Sequence, residues 1–599
     1  MEVLNHRAFY DMVLSGANEV IAHKQELNDI NVFPVADGDT GNNLAHLMGM
    51  IKRDSKWSDS SPDNLERIKL ACMRGSRGNS GMIFSQFIIT MCNFLLKNPE
   101  VKNEQFLEMC DLAVQSAIES VSEPQEGTVL TVMKKWVAVM IGQNNNTRNI
   151  ELLLKESFSE VSVALDQTKQ QLEVLRIHNV VDAGAKAFVH FLKGLIEVNK
   201  PSNLEIYDIE ANLDIQELPH VMNEADEIPY RYCSEFLFEL VADTDPSALK
   251  VQFAELGDSI VTVCDSGLAK VHLHTNQPAR VAEMIVEKGN LVYQKVEDMH
   301  RQYQSIYQRN ASIALVIDSA CDLPQEWLDN YQIHMLPLQL EVGKSTYLDK
   351  VTLEADKFYH MLDNSSDQPK SSQPTLMSVQ MLYQQLLQQY DSIVSIHLSK
   401  ELSGTFDVCN MAAKQTDPSR IHVVNSRTLS GAYGLLAHRI AKAIESGSSF
   451  ETIKQSIEDW IPKSEILVSV PTLKHMIRGG RVSPMQGKIA RWLNMKPIVS
   501  IDRDGKSLLY GKTFFSKSSK GKMFKKLKSI HEKYGINEYV LLHAGSLETM
   551  KHSEQEMVKI TGNKPLYITD VSPVIGANAG KGAISVAMLL NENNGRGGR

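Results

Sequence analysis

At 599 residues the chain is too long for one hydrophobic core, and its length predicts about three domains. Hydrophobic residues at 43% and charged residues at 22% are the ordinary balance of a soluble globular protein. A formal net charge of −10 lacks the basic footprint of general nucleic-acid binding, so no nucleic-acid partner is expected.

The first residues open straight into an amphipathic helical pattern, Phe9, Val13, Ala17 and Val20, without the basic start and apolar core of a signal peptide. Seven scattered cysteines, odd in number and without a CxxC pair, fit a reduced cytoplasm better than a disulfide framework. The expectation is a cytoplasmic protein.

Residues 31–43 read Asn31-Val32-Phe33-Pro34-Val35-Ala36-Asp37-Gly38-Asp39-Thr40-Gly41-Asn42-Asn43. Leu44, Leu47, Met48 and Ile51 follow at helical spacing, so two carboxylates cluster where a helix begins. Asp37 and Asp39 suit a hard cation such as Mg²⁺, which takes one or two carboxylates plus substrate phosphates. Gly38 and Gly41 let a phosphate approach the free amides of the helix start. A calcium loop is disfavoured, because the glycine stands at the fifth position rather than the sixth and Met48 replaces the twelfth-position Glu. A structural Asp-Gly-Asp turn remains the alternative. A second glycine cluster, Gly75-Ser76-Arg77-Gly78-Asn79-Ser80-Gly81, precedes the apolar stretch Met82 to Leu96 and forms another phosphate-friendly nest. The two together predict a nucleotide site with Mg²⁺ at one side.

Met82 to Leu96 is shorter than the roughly 20 apolar residues a membrane span requires and contains Ser85, Gln86, Thr90 and Asn93. It reads as a buried helix, so no integral membrane segment is expected, and peripheral membrane contact stays open. Phe106, Met109, Ala113 and Ala117, then Val129, Val132, Trp136 and Met140, are further helical stripes. Residues 1–200 thus read as an all-α domain, closed by a linker at Pro201-Ser202-Asn203.

Residues 201–310 switch to strand-like runs, Phe236 to Val241, Ser259 to Val263 and Lys270 to Thr275, a small α+β middle domain. His272 and His274 share one face of a strand and, with Cys233, form a candidate Cys-His-His zinc set. A hydrogen-bonded histidine pair is the alternative.

From residue 311 to 592, before a polar tail at 593–599, strands alternate with helices. Ile313 to Ile317, Ile393 to Ile396 and Ile421 to Val424 each run into a small-hydroxyl loop, which predicts a parallel sheet with a ligand at its carboxyl strand ends. No GxGxxG or GxxxxGK[ST] motif is present in this half. The lysines at 512, 517, 520, 522, 525, 526 and 528 read as a solvated face, with docking of an acidic partner as the alternative.

Residues 31–43, Ser76 to Gly81, Glu126-Gly127-Thr128-Val129-Leu130-Thr131 and Val180-Val181-Asp182-Ala183-Gly184-Ala185 together resemble the ATP-binding subunit of dihydroxyacetone kinase. They resemble the kinase component of bacterial fatty-acid kinase more closely. The resemblance implies an all-helical barrel holding ATP and two Mg²⁺ ions. Asp37 and Asp39 become metal ligands, with Asn31, Thr40, Asn42 and Asn43 beside them. Gly78, Asn79, Ser80, Gly81, Thr128 and Asp182 line the nucleotide. Ala36 stands where the family usually has a second proline. The paired histidines matter for function in that family, which carries to His272 and His274, and its barrels imply a homodimer.

Ile317 to Pro324, Ser371 to Thr375, Leu402 to Thr405, Arg478 to Arg481 and Pro573 to Gly576 resemble a DegV-type fatty-acid-binding protein, a two-lobed α/β fold. The resemblance implies a fatty acid whose carboxylate is held by Ser371, Ser403, the Gly404 and Thr405 amides and Arg481. Where that family has a histidine near its end this chain has Asn578, with Lys581 close by. Asparagine donates a hydrogen bond but carries no charge. The expected whole is an ATP-dependent fatty-acid kinase fused to its lipid carrier. The rivals are a lipid sensor with a regulatory ATP domain and a kinase of a small hydroxylated metabolite.

Overall fold

The computed structural model describes residues 2–33, 38–59, 63–143, 149–198, 228–241, 246–364, 368–481, 496–511 and 516–591. The chain divides into two compact units, residues 1–299 and 300–599.

The first unit opens with helices α1 (His6–Ala22), α2 (Lys24–Asp29), α3 (Thr40–Asp54), α4 (Asn64–Gly75) and α5 (Gly78–Lys97). They continue with α6 (Asn103–Ser120), α7 (Val129–Gln143), α8 (Ile150–Gln171), α9 (Glu173–His178) and α10 (Ala183–Ile196). Two short strands, β1 (Leu4–Asn5) and β2 (Glu100–Val101), pair antiparallel beside them. Side chains cap several starts: Asn5 accepts from the Ala8 N–H, Asn149 from Glu151 and Asp182 from Ala185. The stripe Leu44, Leu47, Met48 and Ile51 is fully buried, as its spacing predicts. Phe84, Phe87, Trp136, Phe188 and Phe191 meet edge-to-face at the centre, with centroids 5.5–6.1 Å apart.

Helix α5 runs one turn further than the apolar stretch, because Gly78 to Gly81 form its first turn. By length and composition alone it is apolar enough to cross a bilayer. Here it is a core helix, with Phe84, Phe87, Ile88 and Leu95 buried among its neighbours.

The same unit holds a four-stranded antiparallel sheet made of β3 (Tyr232–Leu240), β4 (Gly257–Asp265), β5 (Leu268–Thr275) and β6 (Gly289–Asp298), in the order β4-β5-β3-β6. Helices α11 (Pro246–Phe253) and α12 (Pro278–Lys288) connect its strands. Leu237, Val261 and Val263 join the hydrophobic core of the helices, so one sheet face packs against them. Cys233 and Glu235 stand at two-residue spacing from Leu237 and point to that same face. Buried Lys69 on α4, 3.1 Å from Asp265, and Asn93 on α5, donating to Asp265 at 3.0 Å, fasten the sheet edge.

Helix α13 (Met299–Tyr307) leads into β7 (Ile313–Asp318), α14 (Gln325–Asn330), β8 (His334–Leu336), β9 (Gln339–Val342), β10 (Ser345–Leu348), α15 (Ala355–Asn364) and β11 (Lys370–Ser372). Then come α16 (Leu376–Gln389), β12 (Ser392–His397), α17 (Thr405–Thr416), β13 (Ile421–Asn425), α18 (Ser430–Glu445), α19 (Phe450–Trp460), β14 (Ser464–Ser469) and α20 (Lys474–Arg478). The rest is β15 (Ile498–Ile501), β16 (Ser507–Gly511), α21 (Ser516–Tyr534), β17 (Ile536–His543), α22 (Leu547–Thr561), β18 (Ile568–Asp570), α23 (Pro573–Ala579) and β19 (Ile584–Leu590).

Two main sheets make the two lobes of this unit. The first, β13-β12-β7-β8, is wholly parallel, and every residue of β7 and β12 is buried, as helices on both faces require. The second, β16-β15-β14-β19-β17-β18, is mixed. A third, β10-β9-β11, is small and antiparallel. On α21 the residues Met523, Phe524, Leu527 and Ile530 are buried, Lys522, Lys525 and Lys528 are exposed, and Lys520 and Lys526 are half-buried. Lys512 and the Pro201 to Asn203 linker lie outside the described residues.

His397 sits 2.8 Å from the Ser395 hydroxyl and 3.1 Å from the Asp318 carboxylate. This Ser-His-Asp arrangement is closed to substrate, because all three side chains are fully buried. It satisfies polar groups inside the parallel sheet.

Asp349 is also fully buried: one carboxylate oxygen accepts the Val574 N–H at 3.1 Å and the other lacks a hydrogen-bond partner. Burial pushes its carboxyl up to about 7 from 3.8. The folded state therefore binds an extra proton between those values, and this group lowers stability as pH rises from about 4 to 7. Asp349→Asn keeps the acceptor and removes the charge. Its melting temperature should exceed the wild type's at pH 8 and approach it at pH 5, as thermal unfolding at both pH values would show. An equal difference at both would exclude this cause.

Candidate functional site

In the first unit the two glycine loops end side by side. Asp39 occupies the N-cap position of α3 with no side-chain cap bond to the helix. Thr40 donates to buried Asn31, and the Asn28 carboxamide oxygen accepts the Asn42 N–H at 3.0 Å. Gly41 has to be glycine: a Cβ there would lie 2.0 Å from the Lys24 carbonyl oxygen, so α3 starts directly against α2. A Cβ on Gly78 would lie 3.0 Å from the Asn43 amide nitrogen, which puts the start of α5 beside the start of α3. Ser80 faces Gly184, whose Cβ would lie 2.9 Å from the Ser80 hydroxyl and 3.2 Å from Asp182. Asn79 and Gly81 share that first turn of α5. Asp37 lies outside the described residues.

Two residues of this set are committed to local structure. The Asp182 carboxylate accepts the Ala185 N–H at 2.7 Å as the cap of α10, and burial pushes it up to about 6. The Thr128 hydroxyl donates to the Gln125 carbonyl at 2.7 Å, just before α7.

The sheet places a second group against the same loops. Pairing sets Cys233 opposite His274 and Glu235 opposite His272. The Cys233 thiol and one nitrogen of each histidine come within 4.8 Å of one another. His272 Nδ1 lies 3.6 Å from Glu235 and His274 Nδ1 lies 3.5 Å from Asp258, so each imidazole turns one nitrogen to a carboxylate and leaves Nε2 over. A half-buried thiol, two buried imidazoles and flanking carboxylates are a donor set that fits a tetrahedral cation such as zinc. Burial pushes His272 down and favours its neutral form, which a metal ligand must be.

Glu235 and Lys270 were not singled out in the sequence. The Glu235 carboxylate accepts the Gly78 N–H at 2.6 Å, and the Lys270 ammonium donates to the Ser76 carbonyl. Both side chains are buried, with Lys270 3.7 Å from Glu235. Burial opposes ionisation of Glu235, but Lys270, His272 and Lys295 outweigh it and hold the carboxyl well below its usual range. The amide of Gly78 is thus engaged by a carboxylate, which leaves the amides of Asn79, Ser80 and Gly81 in the first turn of α5. Period-two counting from Cys233 along β3 would have flagged Glu235.

In the second unit a cavity of about 1000 Å³, including its mouth, lies between the lobes. Its walls are apolar: Leu398, Leu402, Ile466, Val468, Val499, Ile501, Val574, Ile575 and Ile584. Ser371, Ser403, Arg481 and Asn578 also line it. The loop after β12 supplies Ser403, whose hydroxyl is 2.9 Å from that of Thr405, while Gly404 caps α17. Ser371 sits on edge strand β11, and Arg481 follows α20 and donates to the Gly479 carbonyl. A Cβ on Gly479 would lie 2.1 Å from the Asn578 carboxamide oxygen, so the glycine makes room for that side chain. Lys581 pairs with Asp363 at the surface. The carboxyl end of β12 carries part of the cavity wall, where a parallel sheet places its ligands.

Family models match in three blocks: a DAK2 domain over residues 34–197, a middle domain of the fatty acid kinase type over 229–306, and the DegV family, itself described as uncharacterised, over 312–591. Curated relatives include uncharacterised proteins of two Staphylococcus aureus strains, 29% and 28% identical over 323 residues. The alignment covers 52% of this chain and 58% of each relative, so the chain spans little more than half their length. Among solved structures, DegV from Bacillus subtilis, a fatty-acid-binding protein, is 30% identical. It matches 47% of this chain and 99% of that one, with a TM-score of 0.43. A fatty-acid-binding DegV-family protein from Thermus thermophilus is 24% identical, with coverage of 47% and 99% and a TM-score of 0.43. The chain therefore joins, in one polypeptide, a DAK2 domain, a middle domain of the fatty acid kinase type and a DegV-family domain.

Proposed function

We propose that this protein is an ATP-dependent fatty-acid kinase in a single chain. It phosphorylates the carboxylate of a fatty acid held in the DegV-family domain, giving acyl phosphate and ADP. The observation that carries the reading is the cavity of the second unit, a largely apolar chamber whose lining also holds seven serines, an arginine and an asparagine. A long acyl chain with one anionic end matches it, and a small hydroxylated metabolite would leave its walls unfilled. The DAK2 and middle domains are kinase-related and supply the phosphoryl donor side.

In this reading Asp37 and Asp39 hold two Mg²⁺ ions, with Asn31, Thr40, Asn42 and Asn43 shaping the loop. The amides of Asn79, Ser80 and Gly81, together with the Ser80 hydroxyl, donate to phosphate oxygens. Bound Mg²⁺ supplies the positive charge that neutralises the transferring phosphoryl group. Ser371 and Ser403 donate to the acyl carboxylate, Arg481 offsets its charge, and Asn578 adds a neutral donor. Gly404 and Thr405, expected to offer amides, do not line the cavity, and the Thr405 N–H donates to the Ser403 hydroxyl at 3.3 Å. A carboxylic acid with a pKa of about 4 to 5 is already ionised at pH 7, so no general base is needed. Cys233, His272 and His274 hold a zinc ion that fixes the sheet beside the loops. Tethering both activities raises their effective concentration to about the millimolar range where geometry lets them meet.

The test incubates purified protein with Mg·ATP, a panel of fatty acids and hydroxylamine, and looks for fatty hydroxamate by mass spectrometry. ATP-dependent hydroxamate is the expected result. Its absence while a fatty acid co-purifies would replace this reading with that of a lipid carrier.

A further inference from the structure

We propose that Glu235 couples the Cys233–His272–His274 centre to the amide end of α5, so that each responds to what the other binds. The inference rests on the nucleotide reading of the two loops.

One oxygen atom makes the connection. Glu235 Oε1 accepts the Gly78 N–H at 2.6 Å and is also the oxygen 3.6 Å from His272 Nδ1. Its other oxygen lacks a hydrogen-bond partner, although Lys270 lies 3.7 Å away. Lys270 in turn donates to the Ser76 carbonyl, so the pair grips the α4–α5 turn on both sides of Arg77. All three side chains are buried: Glu235, Lys270 and His272 are 4%, 1% and 3% exposed. His272 Nδ1 makes no hydrogen bond at that distance, so its link to this oxygen is electrostatic, and burial of both side chains strengthens it.

A histidine that binds metal through one nitrogen commonly gives its other N–H to a carboxylate, which orients the ring and raises its basicity. Glu235 is placed to do this for His272. A cation on His272 Nε2 polarises Nδ1–H and strengthens its pull on Oε1, the same atom that fixes the Gly78 amide. A phosphate at the first turn of α5 draws on the neighbouring amides and is felt back along the same path. Coupling of this kind is reciprocal for binding. Asp258 faces His274 in the same manner but from an exposed edge, 49% accessible, and makes an internal control.

The experiment uses the full-length protein loaded with Co²⁺ in excess Mg²⁺, reading the thiolate-to-cobalt charge-transfer band that Cys233 confers. In the wild type a non-hydrolysable ATP analogue should shift that band. Glu235→Gln should bind cobalt about 10–100-fold more weakly and lose the shift. Asp258→Asn should also weaken cobalt binding but keep the shift. Glu235→Asp, which retains the charge, should recover part of both and covers the case in which the Gln variant fails to fold by circular dichroism.

The proposal is overturned if no thiolate–cobalt band forms, if the wild-type band ignores bound analogue, or if Glu235→Gln matches the wild type. Failure of the nucleotide reading shows separately, as no binding of a fluorescent ATP analogue. The cobalt affinities of the two variants then decide the role of Glu235 toward the metal.

Discussion

Asp39→Asn should lower acyl-phosphate formation by about 10³-fold or more while leaving the fatty acid bound. The substitution keeps the side-chain volume at the start of α3 and removes the negative charge. A metal that clamps transferring phosphate contributes several kcal/mol to the transition state, and about 4 kcal/mol corresponds to 10³-fold. Asp39 stands at the first helical turn beside Thr40 and close to the start of α5, far in sequence from every residue that lines the cavity. Hydroxamate yield and the lipid retained after gel filtration, measured on one preparation, separate the two effects. Asp37→Asn should behave alike. Lipid lost along with turnover would mean that the division of labour between the units is wrong.

Arg481→Ala should raise the fatty-acid Kd by about 10–100-fold, the cost of losing a hydrogen bond to a charged group. Among the described residues lining the cavity, Arg481 is the cationic side chain. It is half-buried and already spends one donor on the Gly479 carbonyl, which aims the guanidinium. Ser403→Ala, which removes a neutral donor, should cost less, about 3–10-fold. Isothermal titration with a fatty acid and with its methyl ester distinguishes charge pairing from packing. The ester should bind Arg481→Ala as it binds the wild type. An equal loss for acid and ester would assign the residue to packing.

Much of the chain was legible from short-range pattern. The stripe from Leu44 to Ile51, the run from Met82 to Leu96 and the three strand-plus-hydroxyl units at 313, 393 and 421 are local signals, and local signals survive folding because each needs only one buried face. The DAK2, middle and DegV blocks were recognisable from ordered motifs. The pairing of Cys233 with His274 was half visible, since period-two spacing puts His272 and His274 on one face without saying which strand lies opposite.

What the sequence by itself determined was therefore the inventory: which helices and strands form, and which loops carry carboxylates, glycines and hydroxyls. Tertiary structure alone decided the partners. It brought Glu235 onto the Gly78 amide and Lys270 onto the Ser76 carbonyl, 157 and 194 residues apart in the chain. It assigned Asp182 to a helix cap, closed the Asp318–His397–Ser395 set to solvent, and gathered residues from 338 to 585 around one cavity. The physical reason is the same in each case. A strand's register and a helix's packing angle are set by the burial of many apolar side chains at once, and a polar contact across 150 residues is a consequence of that packing which no local pattern encodes.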